Sequence, residues 1–485
     1  MIGPVSFQGG RGEAERRLAA IDPSRYGATR NHLDGAVSRL SPYIRHGVLT
    51  LAEVRETVFV RLKQPDARLG VVQMDLLAAE SCSSSGSSGD YRFRASPAWN
   101  EAQRRAGEKL ISELGWRDYW QRLWRQLGDG IWHDREPLKT GHRPDAYAPA
   151  LPADIAAAAT GLPCIDAFAA ELMGTGWLHN HARMWLASYV VHWRRVRWQV
   201  GARWFLQHLL DGDPASNNLS WQWVASSFSH KPYIFNRANL ERFSGGRYCG
   251  TCPRAGRDGA AGCPFEASYE ELQERLFRPL SAQAEGPLPD ESPPLPPSAA
   301  AAQAAPKGLD TSGCLSLPPP NPVGGFRRPL VWVHEEALGP ANPALLAHPD
   351  APALAVLDAD WIAGHAAAAQ GAGSPAFLVG ELPPASGRIR FLRACMAELP
   401  VQVREGDVAA QLLAVGDDLH CDGVVTSRPV DPRLLRIAAR VAARLPVQYL
   451  EPDPFVALPF EGQGAPDLRR FSRYWRRAEP LVWGP

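Results

Sequence analysis

At 485 residues the chain is longer than one hydrophobic core supports, so two or three domains are expected. Its 52 Lys and Arg balance 51 Asp and Glu, and a net charge of +1 excludes a protein whose whole surface traps polyanions; any nucleic-acid contact is confined to a local basic groove. The amino-terminal residues carry no apolar signal core and no run approaches the roughly 18 apolar residues of a membrane span, so the expectation is a soluble, cytoplasmic protein with no membrane partner.

From Gly10 to about Lys63 the pattern is helical, with Leu33, Leu40, Ile44, Leu49 and Val54 as apolar positions. Within it, Ser38, Arg39 and Ser41 stand just ahead of a helical run, where they are expected to cap it, and a helix start attracts phosphate. Ser81 to Gly89 is a low-complexity loop. A long helix is expected from Trp99 to Leu127. Glu113 and Trp116, three apart, project from one face of it, and Trp120 and Trp124 extend the stripe. A buried seam accounts for the rings but not for the carboxylate, which must be solvated or partnered.

Helices resume at Ile165 and at Leu178. In the second, Asn180, Arg183 and Met184 share a face. The turn-forming segment Asp211 to Asn218 follows and runs straight into Ser-Trp-Gln-Trp. Arg183 and Asp211 are expected to form a buried ion pair. Eleven of the 16 tryptophans fall between Trp116 and Trp223. That is more than a core needs, since each buried indole N–H must find a partner, so stacking or electron transfer is indicated.

In a reducing compartment the eight cysteines are poor disulfide candidates, and clustered ones point to metal. Cys249-x2-Cys252-x10-Cys263, with Cys164 upstream, reads as a four-thiolate site, and tetrahedral zinc and an iron–sulfur cluster both satisfy it. Between about Leu280 and Gly325 the composition turns to Pro, Ala, Ser and Gly, an interdomain linker. Beyond it, short apolar runs at Leu330–Val333, Ala353–Leu357, Ala376–Val379, Val401–Val403, Gly423–Thr426 and Val447–Leu450 alternate with helical stretches. This predicts a doubly wound parallel sheet with helices on both faces. No G-x-G-x-x-G follows its first strand, so an ordinary dinucleotide site is not indicated. The tail from Phe471 is basic and aromatic. The expected organisation is multidomain: an all-α domain over 1–279, a linker over 280–328, an α/β domain over 329–465 and a connector helix over 466–485.

The strings SRLSPYIRHG, ELGWRDYW, TGWLHNHARM, LLDGDPASNNLSWQW and KPYIFNR resemble, in order and nearly in spacing, the flavin-binding domain of the cryptochrome and photolyase family. The resemblance implies that Tyr26, Ser38, Arg39, Leu40 and Ser41 line the phosphates of a folded FAD. It places Arg183 and Asp211 beside the isoalloxazine, Asp213 in the same cofactor set, and Asn217 facing the ring's N5. Glu113 would hydrogen-bond a cyclobutane dimer, Trp116 and Trp223 would wall it, and Asn180 and Met184 would contact its bases. Trp221 and Trp198 match the first two members of the family's electron-transfer chain, while Asp145 and Tyr147 stand near the place of the third.

The cysteine layout is similar to that of the iron–sulfur branch, which implies a [4Fe–4S] cluster at Cys164, Cys249, Cys252 and Cys263, with zinc as the alternative. The segment Val331 to Leu345 looks like the family's first strand and turn, and the tail like the connector that normally precedes the flavin domain, which implies a circular permutation. The function so implied is light-driven repair of cyclobutane pyrimidine dimers in single- or double-stranded damaged DNA by electron transfer from reduced flavin, assisted by an antenna chromophore of unspecified kind. The alternative is a blue-light photoreceptor acting on a signalling protein. Arg194, Arg195, Arg197, Arg237 and Arg242 are candidates for a basic rim.

Overall fold

The computed structural model describes residues 6–63, 99–256, 262–278, 325–364 and 383–484. The expected loop Ser81–Gly89, the expected strand Ala376–Val379 and residues 280–324 of the expected linker lie outside these.

The first half is helical: α1 (Arg11–Ala19), α2 (Pro23–Thr29), α3 (Ser41–Arg45), α4 (Leu51–Lys63), α5 (Glu101–Leu127), α6 (Ala153–Ala156), α7 (Pro163–Thr175), α8 (Asn180–Ser188), α9 (Trp198–His208), α10 (Pro214–Ala225), α11 (Arg237–Ser244) and α12 (Tyr269–Leu276). Local chemistry sets several of their ends. The side chain of Asn100 accepts from the backbone N–H of Gln103 while Gln103 accepts from that of Asn100, a reciprocal cap that starts α5. Gly176, at φ 69°, closes α7 in the left-handed conformation that favours glycine, and its carbonyl accepts from Leu210 N–H.

At α3 the sequence expectation needs correction. Ser41 is the first helical residue, Leu40 occupies the cap position, and no side chain caps the helix. Arg39 turns the chain at φ 54° and Leu40 is buried, so the apolar residue rather than a hydroxyl holds this corner.

The second half builds a five-stranded, all-parallel sheet from β1 (Pro329–Val333), β2 (Ala353–Asp358), β3 (Gln402–Gly406), β4 (Gly423–Ser427) and β5 (Val447–Leu450), in the order β3-β2-β1-β4-β5. Its helices are α13 (Pro343–Ala347), α14 (Ala359–Ala363), α15 (Ser386–Ala397), α16 (Val408–Asp418), α17 (Pro432–Ala442) and, at the end of the chain, α18 (Phe471–Trp483).

Alternation along the strands divides the sheet into two faces. Leu330, Trp332, Leu354, Val356 and Val424 pack against Val408, Leu412 and Val415 of α16 and Leu434, Ile437 and Val441 of α17. Val331, Val333, Ala355, Leu357 and Val425 join Phe391, Leu392, Cys395 and Met396 of α15. That second face continues without interruption into Leu49, Val54, Leu114 and Trp124 of the helical half, so the two halves share one apolar core.

Polar contacts fix the same junction. Arg45 pairs with Glu336 at 2.6 Å, and the other oxygen of Glu336 accepts from Val430 N–H at 2.7 Å. His46 lies between the Glu335 carbonyl, 2.8 Å away, and the Leu210 carbonyl, 2.9 Å away. Helix α18 lies along α5: Tyr474 donates to Asp118 at 2.6 Å, Tyr119 donates to the Leu468 carbonyl at 2.7 Å, and Trp99 donates to the Trp483 carbonyl at 2.9 Å. Among the described residues no helix is long and apolar enough to cross a membrane.

Candidate flavin site and cysteine recess

The turn between α9 and α10 meets the start of α3 and the middle of α8. Arg183 reaches Asp211 at 3.0 Å and also donates to the Leu178 carbonyl at 2.9 Å, so its guanidinium is held at both ends. Asp211 is 4% exposed. Burial alone would raise its pKa, but the charge and hydrogen bond of Arg183, the Ser41 hydroxyl and Arg117 outweigh that and hold it below the usual carboxylate range.

Two positions further on, Asp213 is spent on architecture. It caps α10 through Ala215 N–H, accepts from Ser216 and Gln121, and pairs with Arg117 at 3.1 Å, tying α10 to α5. Asn217 donates its amide nitrogen to the Ala202 carbonyl and to Asn218, both at 3.0 Å. These two bonds use both hydrogens of the amide nitrogen. The Arg39 guanidinium lies 5.5 Å from the Trp177 ring. Ser38 is half-buried in the same loop. Tyr26 sits on α2, and burial pushes its hydroxyl pKa up, with the charge of Glu113 adding to the effect.

The tryptophans differ in their surroundings. Trp221, 2% exposed, lies against the backbone of α9: a Cβ built on Gly201 would stand 2.2 Å from its ring. Trp198, three residues before Gly201 on the same helix, is also 2% exposed and donates its indole N–H to Asp134 at 2.6 Å. Trp223 is 37% exposed, with Tyr233 beside it at 5.6 Å. Trp116 is half-buried, and Phe471 of α18 stacks on it at 3.7 Å and 10°. Glu113 is shared between Arg30 at 3.1 Å and Lys109 at 3.3 Å. Asn180 is exposed, and its amide nitrogen stands 3.9 Å from the sulfur of Met184. Of the candidate rim arginines, Arg194 is held by both oxygens of Asp154 and Arg237 by Glu241 and Glu266, so these two are engaged within the protein.

The four cysteines converge. Cys164 in the first turn of α7 and Cys249, Cys252 and Cys263 in the loops after α11 line one recess, together with Leu162, Arg237, Leu240, Tyr248, Ala255 and Phe265. Burial pushes the Cys164 thiol up to about 12 and the Cys249 thiol up to about 11, and the neighbouring thiols add to both shifts. Among the described residues no three His, Cys, Asp or Glu side chains form a set that could hold a metal ion.

Residues 110–244 match the family model described as the FAD binding domain of DNA photolyase. Over these residues the chain is similar to the FAD-binding domain of DNA photolyases. The chain is 40% identical over 122 residues to the deoxyribodipyrimidine photo-lyase of Streptomyces griseus, covering 25% of this chain and 26% of that one. It is 37% identical over 143 residues to that of Escherichia coli, covering 27% and 28%. It thus spans about a quarter of the length of the curated relatives it matches. Among solved structures, a class III photolyase from Agrobacterium tumefaciens covers 57% of this chain at 21% identity and TM-score 0.37, with 55% of its own chain covered. A cryptochrome from Synechocystis likewise covers 57% of this chain, at 19% identity and TM-score 0.39, with 52% of its own chain covered.

The flavin-binding domain carries polar atoms suited to a polar ligand. Arg39 Nε and Asn218 Nδ2 are buried without a protein partner. Leaving such an atom unpaired costs about 1–3 kcal/mol, so a polar ligand such as FAD could satisfy them. The domain also leans on residues that no local pattern announces. Arg388 of α15, 176 positions beyond the turn it supports, donates to the Gly212 carbonyl at 3.3 Å, and a Cβ on Gly212 would collide with its guanidinium. Asp134 could be singled out only once Trp198 was placed beside it.

Proposed function

We propose that the protein is a light-driven photolyase that takes FAD and acts on cyclobutane pyrimidine dimers in DNA. The observation that carries this reading is the pair of half-buried Arg183 with buried Asp211, placed directly ahead of α10, the helix that carries Asn217 and then Trp221. When bound, FAD supplies the one-electron chemistry that light drives. In this reading Tyr26, Ser38, Arg39, Leu40 and Ser41 hold its phosphates, Arg183, Asp211 and Asn217 orient its ring, and Asp213 fixes the turn between them.

The dimer leaves the duplex stack to reach this site, and a damaged pair costs less to extrude than an intact one. Trp116 and Trp223 offer apolar walls, and Asn180 and Met184, adjacent on α8, contact the bases. Glu113 accepts a hydrogen bond from the dimer, for which it must loosen its hold on Arg30 or Lys109. Trp221 and Trp198 relay electrons inward. Reduced protein illuminated with dimer-containing single-stranded DNA tests the reading: dimer loss under blue light supports it.

Flavin photoreduction without dimer loss would instead support a blue-light receptor acting on a protein partner. One observation favours that second reading: Phe471 already covers one face of Trp116, leaving a single face for a base.

We infer further that the cysteine recess takes a [4Fe–4S] cluster. Four thiols that line one recess suit a four-thiolate group, and the resemblance to the iron–sulfur branch favours the cluster over zinc. Thiols that burial makes weakly acidic also need a cationic occupant to ionise. Iron and acid-labile sulfide analysis of anaerobically purified protein tests this, and zinc in their place overturns it. The domain order is read as a circular permutation, supported by the position of Val331–Val333 in the central strand of a sheet that follows the flavin-binding domain.

A further inference from the structure

We infer that Asp134 is the base that removes the indole proton of Trp198 when Trp198 is oxidised, so that the electron-transfer chain ends at Trp198 and needs no third aromatic carrier. The inference rests on the flavin reading above, because the oxidant is the photoexcited flavin.

The two tryptophans differ in one respect that decides where a hole comes to rest. Trp221 is 2% exposed and its indole nitrogen is buried with no hydrogen-bond partner, so its oxidised form has nothing to give a proton to. Trp198 is equally buried, but its indole N–H donates to a carboxylate oxygen of Asp134 at 2.6 Å. Trp221 packs on Gly201, three residues after Trp198 on the same helix. Asp134 is itself an exposed residue in the loop after the 3₁₀ turn Gly128–Trp132, so a proton it takes can pass to water.

An oxidised indole is a far stronger acid than a neutral one, and a carboxylate at hydrogen-bond distance is poised to receive its proton. The balance is complete. One electron passes from Trp198 to fill the vacancy left on Trp221, whose own electron has gone to the flavin. The N–H bond of Trp198 breaks and an O–H bond forms on Asp134. The result is a neutral Trp198 radical, a neutral carboxyl group and one electron delivered to the flavin. Return of the hole to Trp221 would then require the proton to come back. Tyr147, near the place expected for a third carrier, has its hydroxyl against that of Thr140 at 2.8 Å, which is no base.

The test is flash photolysis of the flavin-loaded protein, comparing the parent with Asp134→Asn, whose amide oxygen still accepts the indole N–H but does not take the proton. Flavin content and circular dichroism confirm that the variant is folded. In the parent the tryptophan radical-cation band should convert to the neutral-radical band at a rate independent of buffer concentration. In Asp134→Asn the conversion should slow about 10²-fold or more, and the hole should return to the flavin before it occurs. Equal rates in the two proteins overturn the proposal, as does a long-lived radical that disappears in Tyr147→Phe. If the parent gives no tryptophan radical while its bound flavin is excited, the flavin electron-transfer reading fails and takes the proposal with it. That outcome is distinct from radicals that form and ignore Asp134.

Discussion

Arg183 and Asp211 meet at 3.0 Å and join the face of α8 that carries Asn180 and Met184 to the turn that starts α10. Replacing Arg183 by Met would leave Asp211 buried without its main counter-charge, a loss of about 3–5 kcal/mol. Urea unfolding should show the loss, and flavin bound per protein should fall with it. The pH dependence has a definite sign. A carboxylate whose pKa is depressed in the folded state contributes stability above its unfolded value, and that contribution fades as pH falls through the folded value. In Arg183→Met the depression is relieved, so acid unfolding should begin at a higher pH than in the parent.

The sequence allowed this pair to be expected because its two segments are short and chemically marked: an amphipathic helix with one arginine on its polar face, and a run of turn residues between tryptophans. The long helix ending at Leu127 and the strands that begin at Ala353 and Gly423 were legible for a similar reason, since periodicity is local. What periodicity does not carry is contact across the chain. Nothing near Gly212 points to Arg388, and nothing in the tail says that Phe471 will stack on Trp116. The start of α3 was misread because Ser41 and Arg39 have the composition of a cap, whereas burial of Leu40 and the positive φ of Arg39 set the local geometry.

His179 supplies a second prediction. It caps α8 by accepting from His181 N–H at 3.1 Å through Nδ1, a bond that only the neutral ring can make. Burial, reinforced by His181, Arg183 and Arg39, pushes its pKa down to about 4. A histidine depressed in the folded state contributes stability that is present above the unfolded value of 6.5 and is lost as pH falls from there toward 4. Stability measured across that window should therefore drop by about 2–3 kcal/mol on account of this residue. His179→Asn, which keeps a capping oxygen and cannot titrate, should flatten that part of the profile.

Gly201 tests the packing of Trp221. An alanine methyl there would stand 2.2 Å from the indole, and the ring is hemmed by Phe205 at a centroid distance of 4.9 Å. Gly201→Ala should cost about 1–3 kcal/mol by overpacking, and it should lower the yield of flavin photoreduction by displacing Trp221. Gly174→Ala is the control: it too is helical, nothing lies within 4 Å of the added carbon, and the change should be neutral or stabilising by up to about 1 kcal/mol.

The cysteine recess makes a prediction about reactivity as well as composition. With burial raising Cys164 to about 12 and Cys249 to about 11, the metal-free thiols are almost entirely protonated near neutral pH, and the thiolate is the reactive form. After chelation and mild unfolding-free desalting, iodoacetamide should therefore modify Cys164 and Cys249 on the order of a hundredfold more slowly than a free thiol. Peptide mass mapping would follow each site. Cys249→Ala removes one ligand and leaves the recess unable to close around its occupant. Because a structural metal group contributes directly to folding, this variant should lose bound iron and melt about 10 °C lower than the parent. A variant that keeps both its metal content and its melting temperature would mean that the recess is ordinary apolar packing and that its four thiols share a wall by coincidence of the fold.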